Sequence, residues 1–466
     1  MALVACCLAP AGVVAAPVAA APHSLQLGFG DSLFASSDSG TREYWLQRAV
    51  GTGSSLVRLN VGWAAVAPEI PSAGFDPADP ASPGYDWSGL DAAVRSAAAQ
   101  GLEVMLTAGG APAWAEGPGR PAAAAAGTWK PQPGAFGAFG RALAARYSGR
   151  FPDPLALGAS LPRVRYFEAW NEPNLDTYLA PQWQGGRSLG AVLYRELLNR
   201  FYAGVKAAQP GATVVGGSLA PFGDRPGGAR TPPVWFLREL LCLRGGRLKP
   251  IPCPRPARFD VLSAHPIAVG SPSESAASPL DATTPDLGRL TRVLRRAEAG
   301  GLALPRRRKL LWVTEFWYDS DPPDPHGVPL YRQARWYEQD LYLFWRGGAS
   351  AAIGLQLRDS PPGKGYQFTN QSGAFFLDGS PKPSATAFRF PFVARVAGRG
   401  RVAVWGIAPR PGRVRIQAWR AGDWTTLASL RARGPSRPFA AELAAGAHAL
   451  LRARLDREAS LTWRLG

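Results

Sequence analysis

Short apolar runs alternate with longer amphipathic stretches over most of this chain. Runs at 25–30 (L-Q-L-G-F-G), 55–61 (S-L-V-R-L-N-V), 102–107 (L-E-V-M-L-T) and 212–216 predict strands, as do 259–264, 310–314 and 351–357 and the run that opens at Arg165. Each is too short for a helix and is rich in β-branched, aromatic or aliphatic residues. Between them, apolar positions recur at helical spacing over 42–50, 89–100, 136–147, 191–208, 234–243, 287–299, 333–345 and 382–390. Asp86-Trp87-Ser88 supplies a cap before the second of these helices. Strict strand-helix alternation specifies a parallel sheet with helices outside it, and eight such units specify a closed (β/α)8 barrel.

Beyond about residue 396 the period changes. Short strands are predicted at 401–406, 413–420, 424–430, 449–455 and 460–464, and Arg413-Val414-Arg415-Ile416-Gln417-Ala418-Trp419 alternates with period two. One wet and one buried face predict a small all-β, sandwich-like domain. The expected division is therefore a leader at 1–22, an α/β barrel at 23–395 and a β domain at 396–466. Trp405, Trp419, Trp424 and Trp463 of the last part suit either a core or an exposed stacking platform for a ligand, and the core is favoured.

Composition changes this picture little. At 46% hydrophobic and 18% charged, the chain can build a large core. Its net charge is +18, from 46 Arg and 6 Lys against 34 acidic residues. The basic residues are dispersed along the chain and no nucleic-acid motif accompanies them, so no nucleic-acid partner is expected. Residues 1–22 are apolar and small, with A-x-A-like sites near Ala19–Ala21, which predicts a secretory leader although a positive n-region is missing. Leu3-Val4-Ala5-Cys6 also fits a lipobox that would anchor Cys6 to lipid. Bacterial-type export is the resulting expectation, and no later run is long enough to span a membrane. Export makes a disulfide between Cys242 and Cys253 the natural reading of that pair. No cofactor motif or metal-ligand spacing is present, and no zinc site is expected.

Two strand ends hold the chemistry. The first stretch, R-Y-F-E-A-W-N-E-P-N at 165–174, stops at Pro173 with Asn171 and Glu172 at its tip; the second, K-L-L-W-V-T-E-F-W-Y at 309–318, places Glu315 at its tip. The C-terminal tips of barrel strands face the active site. Glycosidic cleavage needs an acid that protonates the leaving oxygen and a second carboxylate at the anomeric carbon, and two strand tips facing across a barrel mouth can supply both. Asn171 suits a hydrogen bond to the sugar 2-hydroxyl. Arg58, midway along its strand, can point inward and hold Glu315 ionised. Glu168 shares its strand parity with Glu172, so it points inward too. Buried, it needs a partner, and Arg58 is the candidate.

The W-N-E-P and T-E-F-W-Y stretches resemble those of the clan A retaining glycoside hydrolases, (β/α)8 enzymes that include cellulase family 5 and β-xylosidase family 39. The resemblance covers about residues 24–395. It implies an O-glycosidase acting on a β-linked glycoside or polysaccharide, with Glu172 as acid/base, Glu315 as nucleophile and Asn171, Arg58 and His265 at the substrate. A tyrosine frequent in this clan two residues after His265 is Ile267 here. A tryptophan frequent at the end of the eighth strand is also missing, with Gln356 or Arg358 in that region, so Trp63, Trp114, Trp170, Trp317 or Tyr318 is expected to supply the stacking. A non-catalytic carbohydrate-binding protein on a decayed barrel and a transglycosylase are the alternatives.

Overall fold

The computed structural model describes residues 23–446 and 449–465. The predicted leader, with Cys6 and Cys7, lies outside the described residues. Strands β1 (Gln26–Gly30), β2 (Leu56–Gly62), β3 (Glu103–Gly109), β4 (Tyr166–Ala169), β5 (Thr213–Leu219), β6 (Val261–Ala264), β7 (Leu310–Val313) and β8 (Ala349–Gly354) pair in order, and β8 closes on β1. Every pairing is parallel. Each strand is followed by a helix: α1 (Ser39–Gly51), α2 (Ser88–Ala99), α3 (Pro133–Arg146), α4 (Leu189–Ala208), α5 (Pro233–Leu240), α6 (Leu287–Ala299), α7 (Leu330–Arg346) and α8 (Pro383–Arg389). This is the predicted (β/α)8 barrel.

The sequence explains the local structure. Asp38 and Ser188 cap α1 and α4 by accepting backbone N–H bonds, and Pro opens α3 and α5 where no N–H is required. Gly137 and Gly204 let α3 and α4 touch backbone to backbone, since a Cβ on Gly204 would lie 2.0 Å from the Gly137 carbonyl oxygen. Inside the barrel, Leu56, Met105, Val215, Val261, Trp312 and Ile353 form one buried layer. Each large apolar side chain buried this way contributes about 1.5–3 kcal/mol. The Cys242–Cys253 disulfide is present and closes the loop after α5. Among the described residues, no helix is long and apolar enough to cross a membrane.

Contacts divide the chain into residues 24–389 and 390–466. The second unit has two antiparallel sheets. One holds β9 (Phe392–Gly398), β10 (Arg401–Gly406) and β13 (Phe439–Ala444). The other holds β11 (Pro411–Arg420), β12 (Asp423–Arg433) and β14 (Leu450–Leu455), with two short strands on β14. Phe392, Val402, Val404, Val414, Ile416 and Leu451 belong to the core that the two sheets share. The sequence pattern did not yield β9 and β13. Trp405 is buried, as the core reading requires, whereas Trp419 is 43% exposed.

Candidate active site

The C-terminal ends of the strands bring the predicted residues together. Arg58, on β2, is buried and reaches four partners. Its Nε donates to Thr107 Oγ1 (3.0 Å) and Glu168 Oε2 (3.1 Å), its Nη1 to Glu315 Oε2 (3.1 Å) and its Nη2 to Asn171 Oδ1 (2.7 Å). Glu168, fully buried on β4, also accepts from Thr107 and Ser263, each at 2.8 Å. A carboxylate this deep persists only when it is paired and hydrogen-bonded. Its role as the structural partner of Arg58 is what strand parity predicts. Burial alone would weaken the Arg58 charge, but Glu168 and Glu315 outweigh it and raise its proton affinity.

The tip of β4 is strained. Trp170 and Glu172 have φ of 71° and 40°, a region that bulky residues rarely enter, and a residue before proline is normally extended. Ser218, at the end of β5, has φ of 49°. Neighbouring groups fix this geometry. The Trp170 indole N–H donates to the Tyr178 carbonyl (2.9 Å), and the Leu175 N–H donates to the Glu172 carbonyl (3.0 Å). Buried Asn174 bonds Ala220 at both its N–H and carbonyl, and the Thr231 carbonyl as well. Strain that the surroundings over-determine in this way gathers at functional sites.

His265 links the two candidate carboxyls. Its Nδ1 lies 2.9 Å from Glu172 Oε1 and 3.7 Å from Glu315 Oε2, and its Nε2 meets Ser218 Oγ (3.0 Å) and Thr314 Oγ1 (3.2 Å). Complete burial would disfavour its charge, yet Glu315 and Glu172 together raise its pKa above the ordinary value. Glu172, His265 and Glu315 each present one donor atom within 4.8 Å of the others. One imidazole nitrogen and two carboxylate oxygens could in principle hold a divalent ion. Here the Arg58 guanidinium already neutralises Glu315, and His265 Nδ1 is committed to Glu172, so the set is better suited to moving protons than to gripping a cation.

A cavity of about 370 Å³ opens beside Glu315, lined by Asp31, Arg58, Asn60, Gln356 and Arg358 among others. Gln356 belongs to this wall, its side chain bonded to the Asn370 carbonyl and the Ser360 hydroxyl. Burial pushes the Asp31 carboxyl up, against three backbone N–H bonds and the Arg358 charge. Three of the aromatic assignments need correction. Trp63 is fully buried and stacked on Phe139 at 5.4 Å, Trp170 is buried edge-on to Phe136, and the Tyr318 ring packs against Trp336 and Tyr337. None of the three offers a face to a ligand. Trp114 is half-buried, edge-on to Trp63, with its indole N–H on the Pro68 carbonyl; Trp317 is half-buried two residues past Glu315. Tyr178, in a loop, carries no sequence signal; the residue is 39% exposed, its phenol lies beside the Asn171 amide, and partial desolvation, then the Glu172 and Glu315 charges, raise the phenol pKa. Thr107, Ser218 and Ser263 did leave a signal, as polar residues in the last half of apolar strands.

No family model matches the chain, and no curated protein matches it. Among solved structures, the chain is similar to a family 39 glycoside hydrolase from the gut symbiont Bacteroides cellulosilyticus WH2, at 18% identity over 91% of this chain and 81% of that one, with a TM-score of 0.56. It is also similar to a glucosidase from Croceicoccus marinus (15% identity, 91% and 95% covered, TM-score 0.49) and to a family 30 endoxylanase from Clostridium papyrosolvens C71 (12%, 92% and 96%, TM-score 0.48). At such identities the likeness to the first establishes a shared barrel fold.

Proposed function

We propose that the protein is a retaining glycosidase acting on O-linked, β-configured glycosides or polysaccharides, with Glu172 as acid/base and Glu315 as nucleophile. The observation that carries this reading is the pair of carboxyls at the ends of β4 and β7, with oxygens within 4.8 Å and Arg58 and His265 between them. Retaining enzymes hold their carboxyls ~5–5.5 Å apart, whereas inverting ones leave ~6.5–9.5 Å for a water. A Glu315 oxygen would attack the anomeric carbon as the glycosidic bond breaks, and the Glu172 proton would pass to the departing oxygen. Glu172 would then take a proton from water, whose oxygen displaces Glu315 from the sugar. His265 would orient Glu172, and Asn171, fixed by Arg58, would meet the 2-hydroxyl. The β polarity rests on the family resemblance. The disulfide supports export, because such bonds persist in oxidising compartments.

A panel of activated 2-deoxy-2-fluoro glycosides tests the mechanism. The expected result is a covalent adduct, mapped by mass spectrometry to Glu315 and absent from Glu315→Gln. Turnover of aryl glycosides with inversion at the anomeric carbon would overturn the retaining assignment. The absence of both adduct and turnover across the panel would overturn the glycosidase itself.

A further inference from the structure

The C-terminal unit holds a concentration of charge that the barrel chemistry does not use. Residues 390–466 contain 14 Arg and four acidic residues, a net of +10 out of +18 for the whole chain. Much of it lies on one face. Along β11, Val414, Ile416 and Ala418 are buried while Arg413, Arg415 and Trp419 are exposed, so these three share the outward face. Strand pairing sets Arg413 directly opposite Arg431 on β12, Arg415 opposite Arg454 on β14 and Trp419 opposite Trp424. Side chains directly opposite across an antiparallel pair lie ~4.5–5.5 Å apart at Cβ, and like charges there are destabilising.

Carboxylates do not relieve this arrangement. Among the described residues, Arg413, Arg431 and Arg433 have no ion-pair partner. Asp456, which feels the Arg415 charge, is already bonded by Arg410. A groove of about 860 Å³ runs between Arg413, Arg431 and Arg433. At the other end of the face, Trp419 and Trp424 meet edge to face at 5.3 Å, and the Arg452 guanidinium lies 4.0 Å over the Trp424 ring. On the other sheet of the unit, Arg401 does have a carboxylate across from it, Glu442 at 3.2 Å. Arginine excess alone does not require arginines to face each other across the paired strands of one sheet.

We propose that the outward face of β11, β12 and β14 is a binding site for a polyuronate, an acidic polysaccharide. The facing arginines take its carboxylates through paired N–H donors, and the Trp419–Trp424 pair stacks on its sugar rings. The choice of an acidic sugar polymer over a nucleic acid rests on the glycosidase reading of the barrel, since single-stranded nucleic acids also use arginine and aromatic platforms. The site would hold the chain on an acidic glycan while the barrel acts.

The test measures binding of the full chain to polygalacturonate, to a single-stranded DNA oligomer and to phosphatidylglycerol vesicles in the same buffer. Tightest binding is expected for polygalacturonate. Arg413→Gln/Arg431→Gln should weaken it about tenfold and Trp419→Ala severalfold. The control Arg247→Gln/Arg308→Gln, which removes the same net charge from exposed barrel positions, should change it less than twofold. Equal losses in the control and the face variant would reduce the effect to net charge and overturn the site. Tighter binding of DNA or vesicles that the face variant abolishes would overturn the choice of ligand. Turnover of small aryl glycosides by the unaltered chain is scored separately: binding without turnover removes the glycosidase reading and leaves the face, and turnover without binding does the reverse.

Discussion

Two groups of arginines in this molecule meet opposite surroundings. Arg58 is buried in the barrel and bonded to Glu168, Glu315, Asn171 and Thr107. Arg413 is exposed on a sheet and faces Arg431. Inside the barrel a charge without its counter-charge would cost several kcal/mol, so each charged group there has a specific partner. On the sheet, water and salt screen the repulsion, and an arrangement that costs a little stability persists. Partnered charge builds a rigid site. Unpartnered charge leaves donors free for something outside the chain.

The contrast predicts opposite signs for the same kind of substitution. Arg58→Met should lower the stability of the barrel by about 3–5 kcal/mol, because it strands the buried Glu168 carboxylate. Denaturant unfolding followed by barrel tryptophan fluorescence measures this, and a loss below about 1 kcal/mol would contradict the pairing. His265 sits between these extremes, buried but titratable. Since the folded protein holds its proton more tightly than the unfolded chain does, this contribution to stability is complete below about pH 6.5 and disappears as pH rises through the folded-state pKa. Glu315→Gln removes the carboxylate whose charge does most to raise it and should weaken its proton binding about tenfold. NMR titration of the imidazole C–H signals reads the change, and a rise would break the electrostatic account. The smallest effect is expected on the sheet. Arg413→Gln should raise the stability of the C-terminal unit by a few tenths of a kcal/mol, as relief of a like-charge pair. A fall in its unfolding midpoint would mean that Arg413 has a stabilising partner.

The barrel site was largely legible from sequence. Glu172 and Glu315 stood out because apolar runs ended on them, the inward direction of Glu168 followed from strand parity, and Arg58 was a candidate from its mid-strand position. The aromatic assignments fared worse for a physical reason. Trp63 and Tyr318 lie just past strands whose tips line the mouth, but a ring can turn toward the cavity or back into the helix layer, and local pattern does not distinguish the two. Phe139 and Tyr337, which hold these rings in the core, are 76 and 19 residues away in the chain. Tyr178 was missed because its loop follows no period. The dispersal of arginines along the sequence likewise concealed a face: Arg415 and Arg454 become neighbours only when β11 pairs with β14.

By itself the sequence determined what local periodicity and covalent order can encode. That includes eight strand-helix units, a change to period two near the C-terminus, the two carboxylates at strand ends and the inward aim of Glu168. The tertiary structure decided what depends on register and on contacts between distant segments. It closed β8 on β1, brought His265 within 2.9 Å of Glu172, sent Trp63 into the core and set arginine against arginine on an open sheet. Burial, pairing and repulsion are properties of distances, and those distances exist only once the chain is folded.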